Sequence, residues 1–207
     1  MSAIILIPLA LATLYFGGIA WIAFLLIIAF AMSYEWGKLA KKNPVWLGIG
    51  LLWTILPVFS ALYLRLLVED GFFLLMWVLA VVWATDTAAF FVGRKLQGPK
   101  LAPHISPNKT WSGAIGGLLI ATIVGGYLGH EWGGRWIIIL TLALLFSILG
   151  QAGDLVESAL KRHFGVKDTG QLIPGHGGAL DRTDSLIFTL PLAAWLCLLA
   201  ETSFLNW

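Results

Sequence analysis

The sequence has little charge and almost no cysteine. Only 12% of its 207 residues are charged, against about 25% in soluble globular domains. The single cysteine, Cys197, excludes an internal disulfide and is interpreted as a packing residue. Lys and Arg exceed Asp and Glu only by 13 to 11, so no basic excess indicates nucleic acid as a partner. A water-soluble globule is therefore excluded, and no nucleic-acid partner is expected.

Long apolar runs take up most of the chain, and hydrophobic residues make up 59% of it. A helix needs roughly 20 apolar residues to cross a hydrocarbon core of about 30 Å. The first two runs are separated only by Gly17 and Gly18, so they form either a short helical hairpin or one long tilted helix. The pattern predicts an all-α, polytopic membrane bundle that forms a single domain over residues 1–207. Its seven spans are expected at 3–16, 19–36, 45–64, 71–92, 112–129, 135–152 and 185–200.

The basic residues fall mainly into alternate loops. If the N-terminus lies inside, eleven of the 13 basic residues lie in inner loops, and only Arg65 and Arg135 lie outside. Cytoplasmic loops of membrane proteins are enriched in Lys and Arg. We therefore expect both long polar loops, 93–111 and 153–184, on the cytoplasmic side.

Two polar features lie in and after the fourth apolar run. Asp86 lies within that run, and a carboxylate facing lipid is costly, so we expect it to face a cavity and a cation; a structural ion pair is the alternative. Ser106, Lys109 and Thr110 come just before the fifth run. They could seat a phosphate at a helix N-terminus, and ordinary N-capping is the equal alternative.

A polar stripe follows the sixth apolar run, on residues whose spacing places them on one helical face: Asp154, Glu157, Ser158 and Lys161. Asp181, Asp184 and Ser185 repeat the spacing of the first three at the entry to the last run. Carboxylates and hydroxyls without a Cys or His cluster favour Mg²⁺ or Mn²⁺ over zinc. The pattern predicts a divalent ion beside an anionic phosphate, and a structural salt-bridge network is the alternative.

A glycine-rich loop separates these two acidic elements. His176, Gly177 and Gly178 lie in it, and consecutive glycines allow backbone N–H groups to point at an anion. His176 could bind phosphate or act as an acid. The alternative is a loop without a functional role.

Residues 153–185, GDLVESALKRHFGVKDTGQLIPGHGGALDRTDS, resemble the signature of the phosphatidate cytidylyltransferases, also called CDP-diacylglycerol synthases. The upstream segments WATDTAAFFVGR and SPNKTW also resemble that family and occur in the expected order, so the resemblance covers residues 83–185. Family members often carry an acidic residue after the SP-x-KTW motif. This chain has Ser112 there, so no role for that carboxylate is carried over.

The resemblance implies transfer of the cytidylyl group of CTP to phosphatidate, giving CDP-diacylglycerol and pyrophosphate. It implies a single membrane-embedded cytidylyltransferase domain in a bacterial-type inner membrane, with the active site facing the cytoplasm. It further implies Mg²⁺ or Mn²⁺, with room for a second cation, and a homodimer. Because both substrates are anions, charge neutralisation and positioning should dominate the catalysis.

The resemblance also implies residue roles. Asp154 and Asp181 are expected to be metal ligands, with Glu157, Ser158 and Asp184 as further or supporting ligands. Substrate phosphates are assigned to Lys161, Arg162, Lys167 and Arg182, and further substrate contacts to Ser106, Lys109, Thr110 and Asp168. His176, Gly177 and Gly178 are expected to hold pyrophosphate, and Asp86 to face the cavity from the fourth helix.

Two other functions, one of the same class and one of a different class, are compatible with the same residues. One is a CTP-dependent kinase or cytidylyltransferase acting on another lipid, such as an isoprenoid. The other is a membrane transporter, because intramembrane carboxylates and broken helices also occur there. The charges gather at one membrane face, which disfavours a transporter, and a purely structural scaffold leaves the acidic residues unexplained.

Overall fold

The computed structural model describes residues 2–170, 172 and 177–207. Its helices are α1 (Ser2–Phe16), α2 (Gly18–Ala40), α3 (Pro44–Leu67), α4 (Gly71–Leu96), α5 (Trp111–Glu131), α6 (Trp136–His163), the short α7 (Leu180–Thr183) and α8 (Leu186–Ala200). A 3₁₀ turn, Phe204–Asn206, lies near the C-terminus. Helices α2 to α6 are long and apolar enough to span a membrane, and α1 and α8 are shorter apolar helices. The prediction of an all-α polytopic membrane bundle is confirmed.

The first two apolar runs form two helices and not one. Helix α1 ends at Phe16, and Gly17 has a φ of +63°, a left-handed conformation that interrupts a right-handed helix. Arg65 of α3 donates from Nε to the carbonyl of Leu14 at 2.8 Å. This bond satisfies one of the carbonyl groups that the end of α1 leaves without a helical partner.

Helices α4 and α5 approach each other closely. A Cβ atom on Gly113 would lie 2.7 Å from the carbonyl oxygen of Ala89, and one on Gly117 would lie 2.8 Å from that of Thr85. Small residues at a spacing of four allow this contact between membrane helices. The close packing places the end of α4 beside the start of α5, next to the cavity described below.

The core is centred on aromatic side chains. Trp77, Phe146 and Phe204 are fully buried, and their ring centroids lie 5.2 to 5.7 Å apart. Trp77 also donates from its indole nitrogen to the carbonyl of Gly125 at 2.7 Å. Together these contacts join α4, α5, α6 and the C-terminal turn. Many large apolar side chains on the outer helix faces are exposed, as expected for surfaces that contact lipid.

The two largest differences from the predicted spans are a β-hairpin and a longer sixth helix. Residues between α4 and α5 form an antiparallel hairpin, β1 (Lys100–Ala102) with β2 (Ser106–Thr110), in which Lys100 pairs with Thr110 and Ala102 with Ser106. Helix α6 continues 11 residues beyond the predicted end of its span at 152, to His163. The extension carries the polar stripe, and Val156 on its other side is exposed.

Candidate active site

A cavity of about 770 Å³ lies between α4, α5, α6 and the hairpin. Its wall combines apolar, polar and charged residues. They are Asp86, Ala89, Phe90, Gly93, Arg94, Gln97, Gly98, Lys100, Leu101, Asn108, Lys109, Thr110, Gly113, Ala114, Gln151 and Asp154. Both carboxylates and several cationic groups therefore face one space, as a site for a polar, charged ligand requires.

Asp86 lines this cavity from α4, as predicted. Its carboxylate lies within electrostatic reach of Asp154 and of the Lys109 ammonium group. The carboxylate is thus directed away from lipid and toward a cation.

Asp154 lines the same cavity from α6. Lys109 of β2 donates to its Oδ2 atom and forms an ion pair with it. Ser158, one turn further along the polar stripe, donates to its Oδ1 atom at 3.4 Å. The hairpin is therefore attached to α6 through a charged contact at the cavity wall.

Lys161 joins two carboxylates from different elements. Its Nζ atom lies 3.2 Å from Oε1 of Glu157 and 2.7 Å from Oδ1 of Asp181. Oδ2 of Asp181 accepts bonds from the backbone N–H of Gly178 at 2.8 Å and from the N–H and hydroxyl of Thr169, both at 3.0 Å. Burial alone would raise the pKa of Asp181, but the bonds from Lys161, Gly178 and Thr169 hold it below its usual value. Protein donors thus reach both oxygens of Asp181.

Glu157 is a buried carboxylate and Asp184 a half-buried one, and both have fewer such partners. Glu157 is 2% exposed, and its Oε2 atom has no hydrogen-bond partner in the described part of the chain. Asp184 lies near enough to repel it. Burial, followed by the charges of Asp154 and Asp86, raises the pKa of Asp184 to about 7, although the backbone N–H of Ser185 donates to it at 2.7 Å. Carboxyl groups are therefore concentrated where α4, α6 and the start of α8 meet.

The donor chemistry of this region fits a hard divalent cation, because an unpartnered carboxylate oxygen lies among other carboxylates. Within residues 2–170, 172 and 177–207, no three Asp, Glu, His or Cys side chains stand together as a complete metal site. Mg²⁺ commonly binds through one or two carboxylates and the phosphates of its substrate. A site completed by the phosphate groups of a substrate therefore agrees with the arrangement.

Several residues that were predicted to bind phosphate make contacts within the protein. Arg162 donates to the carbonyls of Ile105 at 3.2 Å and Val166 at 3.3 Å, so it holds the hairpin turn. Ser106 and Lys109 lie in β2, directly before the start of α5, and the seating of a phosphate by Ser106, Lys109 and Thr110 stays a prediction. Thr110 is the N-cap of α5 and accepts a bond from the N–H of Gly113 at 3.1 Å, which is the capping alternative.

The remaining predicted residues lie in and after the loop that follows α6. Lys167 and Asp168 are exposed in that loop, and Arg182 is exposed on α7. Gly177 has a φ of +80°, and the N–H of Gly178 points at the carboxylate of Asp181. The anion at this glycine is thus a side chain of the protein. His176 lies outside the described residues.

Glu35 of α2 is a buried polar residue that was not predicted from the sequence. Its side chain is 1% exposed and accepts bonds from Thr169, Ala179 and Leu180. The sequence does contain a signal for this residue. Glu35 is an acidic residue inside an apolar run, as Asp86 is, and such a residue needs a polar partner. Arg94 and Lys100 were also missed as cavity residues, since they were counted only as basic loop residues.

Comparison with known proteins gives consistent matches. The sequence model of the cytidylyltransferase family matches residues 45–200. A phosphatidate cytidylyltransferase of Brucella suis is 41% identical over 243 aligned residues, which cover 90% of this chain and 87% of the relative. Its counterpart in Rickettsia felis is 35% identical, with 96% and 91% covered, and that of Bacillus subtilis is 45% identical, with 64% and 50% covered. The family match includes every cavity residue, whereas Glu35 lies outside it.

Proposed function

Because the chain belongs to the cytidylyltransferase family, we propose that its cavity is where the cytidylyl group of CTP passes to phosphatidate, giving CDP-diacylglycerol and pyrophosphate. The observation that carries the proposal is the cavity itself, where Asp86 and Asp154 face the same space as Arg94, Lys100 and Lys109. A neutral lipid or a passively conducted ion would not need this mixture of charges. Two polyanionic substrates and a cation would.

In this reaction a phosphate oxygen of phosphatidate attacks the α-phosphorus of CTP. The new P–O bond forms as the bond to the β-phosphate breaks, and pyrophosphate leaves with the electron pair. The attacking phosphate is already ionised, so a general base contributes little. The protein must instead bring two anions together and hold them in line.

The cationic side chains are suited to that task. Lys109 is fixed by Asp154, and Lys161 is fixed between Glu157 and Asp181, so both ammonium groups are held before substrate arrives. Preorganised charges of this kind stabilise charge that develops during reaction without a cost of reorganisation. Arg94 and Lys100 add positive charge at the α4 and hairpin side of the cavity.

We further propose that Mg²⁺ or Mn²⁺ enters with the nucleotide and is held by Asp154 and Glu157, with Asp184 and Ser158 in support. Glu157 contributes the buried oxygen that has no partner among described residues. Asp181 remains a candidate ligand only if Lys161 releases its Oδ1 atom, because protein donors already reach both of its oxygens. The metal would neutralise phosphate charge next to the attacked phosphorus.

The orientation of the site is part of the same proposal. Eleven of the 13 basic residues lie on the side of the hairpin and of the polar end of α6 when the helices alternate across the bilayer. The positive-inside tendency then puts the cavity on the cytoplasmic side of a bacterial inner membrane, where CTP is available.

Purified protein with phosphatidate and either α- or γ-labelled CTP tests the proposal. Label from the α-phosphate should appear in the lipid product, and label from the γ-phosphate in pyrophosphate. Label from the γ-phosphate in the lipid would identify a kinase instead. Transfer to an isoprenoid phosphate but not to phosphatidate would identify a different cytidylyltransferase, and substrate flux across sealed vesicles without nucleotide would favour a transporter.

A further inference from the structure

Glu35 is a fully buried carboxylate that belongs to a helix outside the cavity. It lies on α2 and is 1% exposed. Its Oε1 atom accepts a bond from the N–H of Ala179 at 3.0 Å, and its Oε2 atom accepts one from the N–H of Leu180 at 3.1 Å. These donors lie 144 and 145 residues away along the chain. A buried carboxylate is costly without such bonds, so the location of Glu35 needs an explanation.

Two glycines make room for this carboxylate. A Cβ atom on Gly170 would lie 2.6 Å from Oε1 of Glu35, and a Cβ atom on Gly178 would lie 2.4 Å from Oε2. Any other residue at these positions would collide with the carboxylate. The turn that precedes α7 is therefore built closely around the side chain of Glu35.

Apolar contacts fix the same two elements to each other. Met32 and Trp36, on either side of Glu35 in α2, belong to one buried cluster with Ala179 and Leu180. The polar contact of Glu35 is thus enclosed by packed side chains, which exclude water and strengthen its hydrogen bonds.

Thr169 links Glu35 to the candidate active site. Its hydroxyl lies 3.3 Å from Oε2 of Glu35 and 3.0 Å from Oδ2 of Asp181. A hydroxyl has one hydrogen to donate, so the two carboxylates share it. Asp181 in turn holds Lys161 at 2.7 Å, and the series of contacts from α2 ends at the polar stripe.

We propose that Glu35 is a positioning residue for the reaction. It fixes the turn at 177–180, so that Asp181 holds Lys161 in the orientation that the transfer step requires. Glu35 acts through these residues and contacts neither substrate. This inference rests on the proposed function, because it assigns Glu35 a role in the same site.

The test compares Glu35→Gln with Glu131→Gln in the full-length protein in detergent. Glutamine has the same shape but replaces one acceptor oxygen with an NH₂ group that opposes a backbone N–H. Glu131 is exposed at the last residue of α5, whereas the cavity lies at the start of that helix. Glu131→Gln is therefore a matched control. We expect kcat of Glu35→Gln to fall by about 10- to 100-fold, as for other supporting residues. KM for CTP should change little, since the cavity wall is unaltered.

Glu35→Asp keeps the charge on a shorter side chain and should recover part of the lost kcat. Thr169→Val removes only the shared hydroxyl and tests the link to Asp181 if Glu35→Gln folds poorly. It should lower kcat while the thermal midpoint stays close to that of the original protein, and Thr169→Ser should restore activity.

Three results would overturn the positioning role. The first is a normal kcat in folded Glu35→Gln. The second is a loss of activity in Glu35→Gln that is no larger than the loss of folded protein, combined with a normal kcat in Thr169→Val. The third is a rise in KM of Glu35→Gln with no change in kcat. An unmodified chain that forms no CDP-diacylglycerol contradicts the proposed function instead. The two failures are therefore distinguishable.

Discussion

Lys109 of β2 and Asp154 of α6 form an ion pair that attaches the hairpin to the polar stripe. Both residues also line the cavity. The pair therefore has two consequences, since it orders the hairpin and holds an ammonium group where a substrate phosphate can reach it.

Replacement of Lys109 should affect catalysis more than folding. Lys109→Met keeps much of the aliphatic chain but removes the charge that faces Asp86 and Asp154, and we expect kcat/KM for CTP to fall by about 100-fold or more. Lys95→Met is a matched control, because Lys95 is exposed at the end of α4 and does not line the cavity. Equal activity of the two variants would contradict the role given to Lys109.

Replacement of Asp181 by Asn should abolish product formation while the protein stays extractable and folded. The amide removes the negative charge that Lys161 contacts at 2.7 Å, and its NH₂ group conflicts with the donors at Gly178 or Thr169. We expect a loss of at least about 100-fold in kcat. Asp70→Asn is the control, since Asp70 is exposed before α4. Near-normal turnover of Asp181→Asn would remove this residue from the site.

Most helices of this protein could be predicted from hydropathy. A bilayer requires long apolar runs, and charged or glycine residues mark where they end, so α3, α4 and α5 begin within one residue of the predicted positions. The polar stripe could also be predicted from the sequence, because helical spacing alone places Asp154 and Lys161 on one side of a helix.

Hydropathy and helical spacing could not predict the hairpin or the buried hydrogen bonds of Glu35. Strands of three and five residues have too few side chains to show an alternating pattern, and β2 contains a proline. The partners of Glu35 lie 134 to 145 residues away, and no local spacing indicates such contacts. The spacing of polar residues could identify Asp181 as a site residue. It could not show that the backbone N–H groups of Thr169 and Gly178 donate hydrogen bonds to its carboxylate.

Metal removal should stop the reaction. We expect a chelator to abolish transfer from CTP and added Mg²⁺ or Mn²⁺ to restore it, because the carboxylates around Glu157 need a cation beside two anionic substrates. Asp154→Asn should raise the Mg²⁺ concentration for half-maximal rate by about tenfold or more. Full activity with excess chelator would exclude the metal proposal without affecting the assignment of substrates.

The contact between α4 and α5 should not tolerate a larger residue. In Gly117→Ala the new Cβ atom would lie 2.8 Å from the carbonyl oxygen of Thr85. Because this oxygen belongs to the backbone of α4, the clash is relieved only if α4 and α5 move apart. We expect a loss of about 1 to 3 kcal/mol in stability, seen as a lower thermal midpoint in detergent. Gly48→Ala is the control, because nothing lies within 4 Å of its new Cβ atom. A midpoint of Gly117→Ala at or above that of the control would contradict the close approach.

Asp184 should destabilise the metal-free protein above neutral pH. Burial and the neighbouring carboxylates raise its pKa from 3.8 to about 7 in the folded state, so ionisation is penalised there and not in the unfolded chain. The cost is absent below pH 3.8, grows as pH rises and is complete above about pH 7. In chelator, Asp184→Asn should therefore melt higher than the original protein at pH 8, and the difference should shrink at pH 6. A difference that stays the same at both pH values would show that Asp184 carries no such penalty.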